Sequence, residues 1–288
     1  MDRALRMALL RLPLTLLLVG LAAVPLVILA TYSVFTQGPE LEPISDLTRA
    51  NYLDVLRSPL LSTIVVNTVA IAVPTTIAAT VCGFALAYFI AFRARRTQGL
   101  LLAAVVVCYM GSFLAYIYSW RTISGQQGVV NSLLERLGVI HAPLEWIVFS
   151  RFAVVVAETQ FFLPFTTLVI FSSLAGMPPN VVLAARDLGA PPWQALQRVV
   201  VPLAGRATFG AATFVLFLSA GDYVTPVFLG GARHGTTIGT TIADAISTGL
   251  NYPLGAATGF VMMAGLAVLA ALVWVALRAG RVLPRSPR

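Results

Sequence analysis
Residues 61–92 carry no charged side chain, and the run is 32 residues long. A helix needs about 20 largely apolar residues to cross the hydrocarbon of a bilayer. Five further runs reach that mark: 9–30, 99–118, 152–175, 207–231 and 254–277. Composition leaves no soluble alternative. Charged residues make up 10% of the 288 and hydrophobic ones 58%, whereas soluble domains carry about 25% charged residues. Disordered chains are poor in large apolar residues, so disorder is excluded as well. The chain reads as an all-α integral membrane protein with six transmembrane helices. Its first run is longer than a signal-peptide core and has no clear small-x-small exit, which marks it as a retained anchor.

Arginine placement gives the orientation, because cytoplasmic connections hold the excess of cations. With the N-terminus inside, thirteen arginines fall in the inner connections and tails: 3, 6, 11, 93, 95, 96, 186, 198, 206, 278, 281, 285 and 288. Six fall outside: Arg49, Arg57, Arg121, Arg136, Arg151 and Arg233. Most acids, Glu145 among them, also lie outside. Both termini are therefore expected in the cytoplasm. The organisation is a segment 1–60 with the first span and an outer loop, a transmembrane domain 61–280, and a short tail 281–288. In the outer connection after the third run, a short helix is expected around 130–138, with Asn131 as its N-cap.

Residue types remove several functions. All 19 cationic residues are arginine and none is lysine, so neither a P-loop nor a pyridoxal Schiff base can be built. The formal charge of +8 sits at membrane edges, which argues against nucleic acid as a partner. Cys82 and Cys108 lie in apolar runs and form no CxxC pair. His141 and His234 stand alone in polar connections. No metal or cofactor site is expected in this chain.

One inner connection, 176–206, is far longer than a turn requires. Residues 177–206 read MPPNVVLAARDLGAPPWQALQRVVVPLAGR. Gly189 is placed to end a first short helix. Pro191 and Pro192 stop its continuation and start a second, which Pro202 is expected to end. A helix-break-helix beneath a membrane domain is either a docking element or an interfacial loop.

Those residues resemble the cytoplasmic loop of type I ABC importer permeases. The family pattern is Glu-Ala-Ala, three residues, Gly, nine residues, then Ile-x-Leu-Pro. Ala184 and Ala185 match its alanines, Gly189 its glycine, and Val199, Val201 and Pro202 its last three positions. Leu183 stands where the family has Glu. The segments 118–134 (YSWRTISGQQGVVNSLL), 221–231 (GDYVTPVFLGG) and 252–257 (YPLGAA) are similar to the spermidine/putrescine permeases in particular. The resemblance implies the type I importer transmembrane fold, N-in/C-in, in the bacterial inner membrane. It implies that the short inner helices dock on a separate ABC ATPase, which binds ATP and Mg. Trp193, Leu196 and Val199, at helical spacing, suit such a contact. It also implies a second related permease subunit, two ATPase subunits and an extracytoplasmic solute-binding protein as partners.

Two acids fall inside the spans, Glu158 and Asp222. Each should face the bundle interior or a water-filled cavity, either lining a path for a cation or holding helices together. Gly221, Pro226 and Gly230–Gly231 mark broken backbone around Asp222, and Arg151 is a candidate partner for Glu158. Tyr116, Tyr118 and Trp120 end the third run, as an interfacial belt or as a cage for an ammonium group. Asn67 and the Thr75–Thr76 pair either line a pore or satisfy neighbouring backbone.

The expected function is a permease subunit of an ATP-driven importer, not an enzyme, with a polyamine-type cation as substrate. The substrate path is assigned to Asp222, Glu158, Tyr116 and Trp120. The alternatives are a different small organic solute or a secondary transporter. A secondary transporter would show repeated halves, and none is evident between 1–145 and 146–288.

Overall fold
The computed structural model describes residues 3–144, 147, 149–177, 180–187 and 189–279. Of the charges used for orientation, Arg281, Arg285, Arg288 and Glu145 lie outside these residues. In chain order the elements are α1 (Arg3–Ser33), β1 (Thr36–Gln37), β2 (Pro43–Ile44), α2 (Ala50–Arg57) and α3 (Leu61–Tyr88). There follow α4 (Gln98–Tyr109), α5 (Phe113–Ser124), α6 (Val129–Arg136), α7 (Arg151–Ala175), α8 (Asn180–Asp187) and α9 (Pro192–Ala195). The last are α10 (Val201–Gly221), α11 (Gly231–His234), α12 (Ile238–Ser247) and α13 (Tyr252–Ala279).

Among the described residues, five stretches are long and apolar enough to cross a membrane: Thr15–Ser33, Leu61–Arg93, Arg151–Ala175, Pro192–Gly221 and Tyr252–Ala276. The third expected span is not one rod. It is α4 with the stretch Phe113–Arg136, which holds α5 and α6, bent by 85° at the break, and counting the pair as a span gives six. The first half, α4, has 12 residues, about 18 Å of helix, too short to cross alone. Gly111 and Ser112 cause the break. Ser112 has an extended backbone and its Oγ accepts from the Ala115 amide, so it starts a new helix where the old one stops.

Contacts divide the chain into two units, 1–61 with 241–262, and 62–240 with 263–288. In the first, β1 and β2 pair antiparallel with Thr36 opposite Ile44. Buried Asn51 donates to the carbonyls of Ser33 at 3.0 Å and Phe35 at 2.8 Å. These acceptors at and just past the end of α1 would otherwise lack partners. Tyr52 donates to Ser33 Oγ at 2.8 Å.

The core of the second unit is α3, α7 and α10. Ile71 packs with Ala153, Val154 and Ala157. Ala79 packs with Phe162 and Val215. Ala87 packs with Ile170, Leu174, Val200 and Ala204. Residue numbers rise together on α3 and α7 and fall on α10, so α3 and α7 run in the same direction and α10 runs against them. The connection between α3 and α7, which contains α4 and α5, therefore returns along the length of the bundle. Small residues bring α3 against α7: a Cβ on Gly83 would lie 2.2 Å from Thr166 Oγ1. Thr166 Oγ1 donates across the contact to the Ala79 carbonyl at 2.8 Å. Close small-residue packing plus an interhelical hydroxyl bond is a common solution for helices in lipid.

Two further expectations are corrected. Pro202 does not end the second short helix, because Pro192–Gly221 is one span. A π-turn at Leu196–Val200 precedes the proline, and the Val201 amide reaches back five residues to the Leu196 carbonyl. The wider turn accommodates a ring that would clash in a regular helix. Asn131 is not an N-cap either; Gly128 is. Asn131 is buried inside α6, donating to the Gly125 carbonyl at 3.0 Å and accepting from the Leu144 amide at 2.9 Å.

Candidate functional site
The loop expected to dock a partner is two short helices set at a sharp break. Gly189 has φ +81°, and an added Cβ there meets nothing within 4 Å. Conformation, not crowding, requires glycine at this position. The Ala190 amide donates to the Ala185 carbonyl at 3.1 Å, the six-to-one closure that ends a helix at a left-handed residue. Pro191 is extended and Pro192 begins α9, where a missing N–H costs nothing. Ala184 and Gly189 are exposed and Ala185 is half-buried. Trp193 is 57% exposed, while Leu196 packs inward on the Ala87–Ile170 cluster. Val199, Val201 and Pro202 are half-buried on the following turns. The side chain of Leu183 lies outside the described ones.

Asp222 sits where α10 stops. Its Oδ1 accepts from the amides of Val224 at 2.8 Å and Thr225 at 3.3 Å, and its Oδ2 accepts from Thr225 Oγ1. The carboxylate starts the short helical segment that follows, as an N-cap does, and remains half-buried. The chain then doubles back. Gly239 lies so near that a Cβ on it would be 2.6 Å from the Asp222 carbonyl oxygen.

Glu158 is in another setting. It is 2% exposed, on the face of α7 that meets α10, and accepts a hydrogen bond from Ser219 Oγ. Thr75 of α3 is within reach of its carboxyl, yet Glu158 Oε1 and Thr75 Oγ1 are both buried without a hydrogen-bond partner. Arg151, the expected partner of Glu158, is engaged elsewhere. Its Nε and Nη2 donate to Asn67 Oδ1 at 3.1 and 2.7 Å. Asn67 is fully buried and donates to the Thr236 carbonyl at 2.9 Å. It thus fastens α3 and the start of α7 to the chain that doubles back after Asp222. Asn67 is the residue whose importance the sequence left undecided; a polar amide in an otherwise apolar run was its signal.

Tyr116 and Trp120 lie together on α5 and pack against the Ile71–Val154 cluster. The Tyr116 hydroxyl donates to the Ala157 carbonyl at 2.8 Å, one residue from Glu158. Tyr109, Phe113 and Tyr116 converge on the ring of Phe161, with centroids 6.0, 4.7 and 6.0 Å away. A cavity of about 480 Å³ at the α4–α5 bend is lined by Tyr116, Gln160 and Phe161. A second of about 570 Å³ lies between α3, α10 and residues 269–273, with Thr76, Thr80, Thr208 and Thr213 as polar lining. Neither includes Glu158 or Asp222. Among the described residues no group of His, Cys, Asp and Glu is placed to hold a metal ion.

No protein-family model matches the chain. Sequence relatives do. The chain is 29% identical over 241 residues to the spermidine/putrescine transport system permease protein PotB of Haemophilus influenzae, covering 83% of this chain and 82% of that one. It is 27% identical over 239 residues to the inner membrane ABC transporter permease protein YdcU of Escherichia coli, covering 79% and 75%. A chain of a bacterial alginate ABC transporter, solved in complex with an alginate pentasaccharide-bound periplasmic protein, matches with TM-score 0.73 at 15% identity over 94% of this chain and 93% of its own. A structure of a bacterial ABC transporter that imports the acidic polysaccharide alginate matches with TM-score 0.71 at 16% identity over 96% of each chain. At such identities the structural likeness carries the fold, and the sequence relatives carry the kind of protein.

Proposed function
We propose that this chain, a type I ABC importer permease by sequence and fold, passes a small organic cation of the polyamine class across the bacterial inner membrane. The observation that carries the reading is the match to spermidine/putrescine permeases over 83% of the chain. The half-buried carboxylate of Asp222 at a break in the backbone supports a cationic substrate. Six spans with both termini inside follow from the arginine asymmetry. The common direction of α3 and α7 supports the count, since the chain between them must cross once, through α4 and α5.

In this reading α8 and α9 meet a separate ATPase. Ala184, Ala185 and Gly189 permit close backbone approach, and the exposed indole of Trp193 supplies an apolar anchor. A second, related permease completes the path, two ATPase subunits supply ATP and Mg binding, and a solute-binding protein delivers substrate. Tyr116 and Trp120 border the path from α5. The test is uptake of labelled spermidine and putrescine into vesicles holding the complete transporter with its binding protein. ATP-dependent accumulation of either supports the reading. Uptake confined to an anion or a neutral sugar ends it.

A further inference from the structure
The cavity of about 570 Å³ between α3, α10 and α13 has walls that suit hydrocarbon and not a charged solute. No ionisable side chain lines it. The oxygens of Thr76 and Thr80 are buried, and the Thr208 hydroxyl donates to the Ala204 carbonyl at 3.0 Å. Little free hydrogen-bonding capacity therefore faces the space, and an apolar site of this kind holds no ordered water. Ile77, Val81 and Val273 of its lining are exposed, so the space is an open slot along the helices.

Two cations border its inner part. The rings of Phe209 and Trp274 meet with centroids 4.7 Å apart, which sets α10 beside α13 at the level of the slot. Arg206 lies three residues before Phe209, next to the lining residue Gly205, and Arg278 lies four residues after Trp274. In the proposed orientation α10 leaves the inner face and α13 returns to it. Both arginines then lie about one helical turn inward of the ring contact. Both are exposed, and neither has a hydrogen-bond or ion-pair partner among the described residues. Asp187 is the only acid in the inner connections 93–98 and 176–206, and none follows in 279–288. The chain thus brings two guanidinium groups to an apolar slot and supplies no anion for them. From Arg206 the slot continues ten residues along α10 to Leu216, about 15 Å, the hydrocarbon depth of one leaflet.

We propose that this slot binds an anionic phospholipid, with an acyl chain along the cavity and the phosphate between Arg206 and Arg278. Basic sites between helices at the cytoplasmic edge suit anionic headgroups, and the Trp274 indole lies where interfacial aromatic residues anchor a helix. The site is separate from the proposed substrate path. Its assignment to the inner leaflet rests on the proposed orientation; its chemistry does not.

The test uses the purified complete transporter, stripped of lipid in detergent. It is offered equal amounts of phosphatidylglycerol and phosphatidylcholine with the same acyl chains, and bound lipid is counted by native mass spectrometry. One arginine at an anionic headgroup contributes about fivefold in binding, so the parent should hold phosphatidylglycerol about twentyfold over phosphatidylcholine. Arg206→Gln combined with Arg278→Gln should bring that ratio to within about threefold. Each single variant should lose about fivefold, which keeps the test decisive if the double variant does not assemble. Ala270→Phe, which fills the slot from α13, should lower retention of both lipids. Equal retention of the two lipids by the parent overturns the proposal, as does a parental ratio in the arginine variants or parental retention in Ala270→Phe. Loss of the second permease from the Ala270→Phe complex also overturns it, because protein would then cover the slot. The readout uses neither substrate nor sidedness. Failed polyamine uptake would remove the proposed substrate, reversed cysteine labelling would move the site to the other leaflet, and the lipid ratio would still decide whether the site exists.

Discussion
Asp222 has two separable duties, a charge and a cap, and one substitution tells them apart. Asparagine caps helices about as well as aspartate, so Asp222→Asn should keep the bond from the Val224 amide and remove the charge. If the carboxylate offsets desolvation of a substrate ammonium, uptake should fall by a factor corresponding to about 1–3 kcal/mol, the value of a charge-assisted hydrogen bond. Assembly should be unchanged. Asp222→Ala should add about 1 kcal/mol of lost stability from the missing cap. Parental uptake by the Asn variant would leave Asp222 as scaffold only. Asn67 makes a different prediction. Asn67→Ala removes the acceptor of Arg151 and the donor to Thr236 at once. Leaving these half-buried groups unpaired costs roughly 1–3 kcal/mol, visible as a lowered unfolding midpoint of the purified complex. An unchanged midpoint would mean that water or another side chain takes over both bonds. At this scale the sequence could flag polar residues in apolar runs but not say what they touch. Glu158 and Asp222 look alike along the chain, one buried against Ser219 and the other capping a turn, because partners 61 residues apart leave no local trace.

Elements were easier to read than their joints. Apolar length and the absence of charge delimit α1, α3, α7 and α13, since lipid demands continuous internal hydrogen bonding. The break at Gly111–Ser112 was missed because hydropathy does not change across it; a small residue followed by a capping serine was the only signal. Pro202 misled in the opposite sense, since a π-turn carries the helix past it. Gly189 behaved as its residue type demands, and that fixes the prediction for the docking element. Gly189→Asp puts a side chain on a left-handed residue, and Ala185→Trp places a bulky ring on a half-buried position of α8. Both should abolish uptake and weaken retention of the ATPase while the permease still inserts. Normal uptake with normal ATPase retention in both variants would remove this loop from coupling. Gly83→Ala probes the core of the same bundle. Its Cβ has no room against Thr166, so α3 must move from α7, at about 1–3 kcal/mol for an overpacked contact. A thermal melt of the complex reads that cost, and a parental melt would show that the contact yields freely.

For the whole molecule the open physical question is which end of the bundle faces the cytoplasm, and two independent arguments meet there. Arginine counts assign the connections after α3 and α7 to the inside. The packing order puts Ala87, Leu174 and Val200 at one end of the bundle and Ile71, Val154 and Leu229 at the other. The ends of α3 and α7 that carry Arg93 and the docking helices therefore lie together, as a shared cytoplasmic face requires. In the proposed orientation, the bent stretch that holds α4 and α5 brings the chain back outside before α7 begins. Single cysteines test this in a Cys82→Ser, Cys108→Ser background. Glu40→Cys and Glu135→Cys should react with an impermeant thiol reagent added to intact cells, and Ala190→Cys should react only after the membrane is opened. Position 135 is the informative one, because it follows the bend. If α4 and α5 formed a re-entrant loop instead of a crossing, Glu135→Cys would be protected while Glu40→Cys still reacted. That outcome would require α3 and α7 to start on opposite sides of the membrane, against the common direction in which they pack, and it would refute the six-span arrangement together with the orientation.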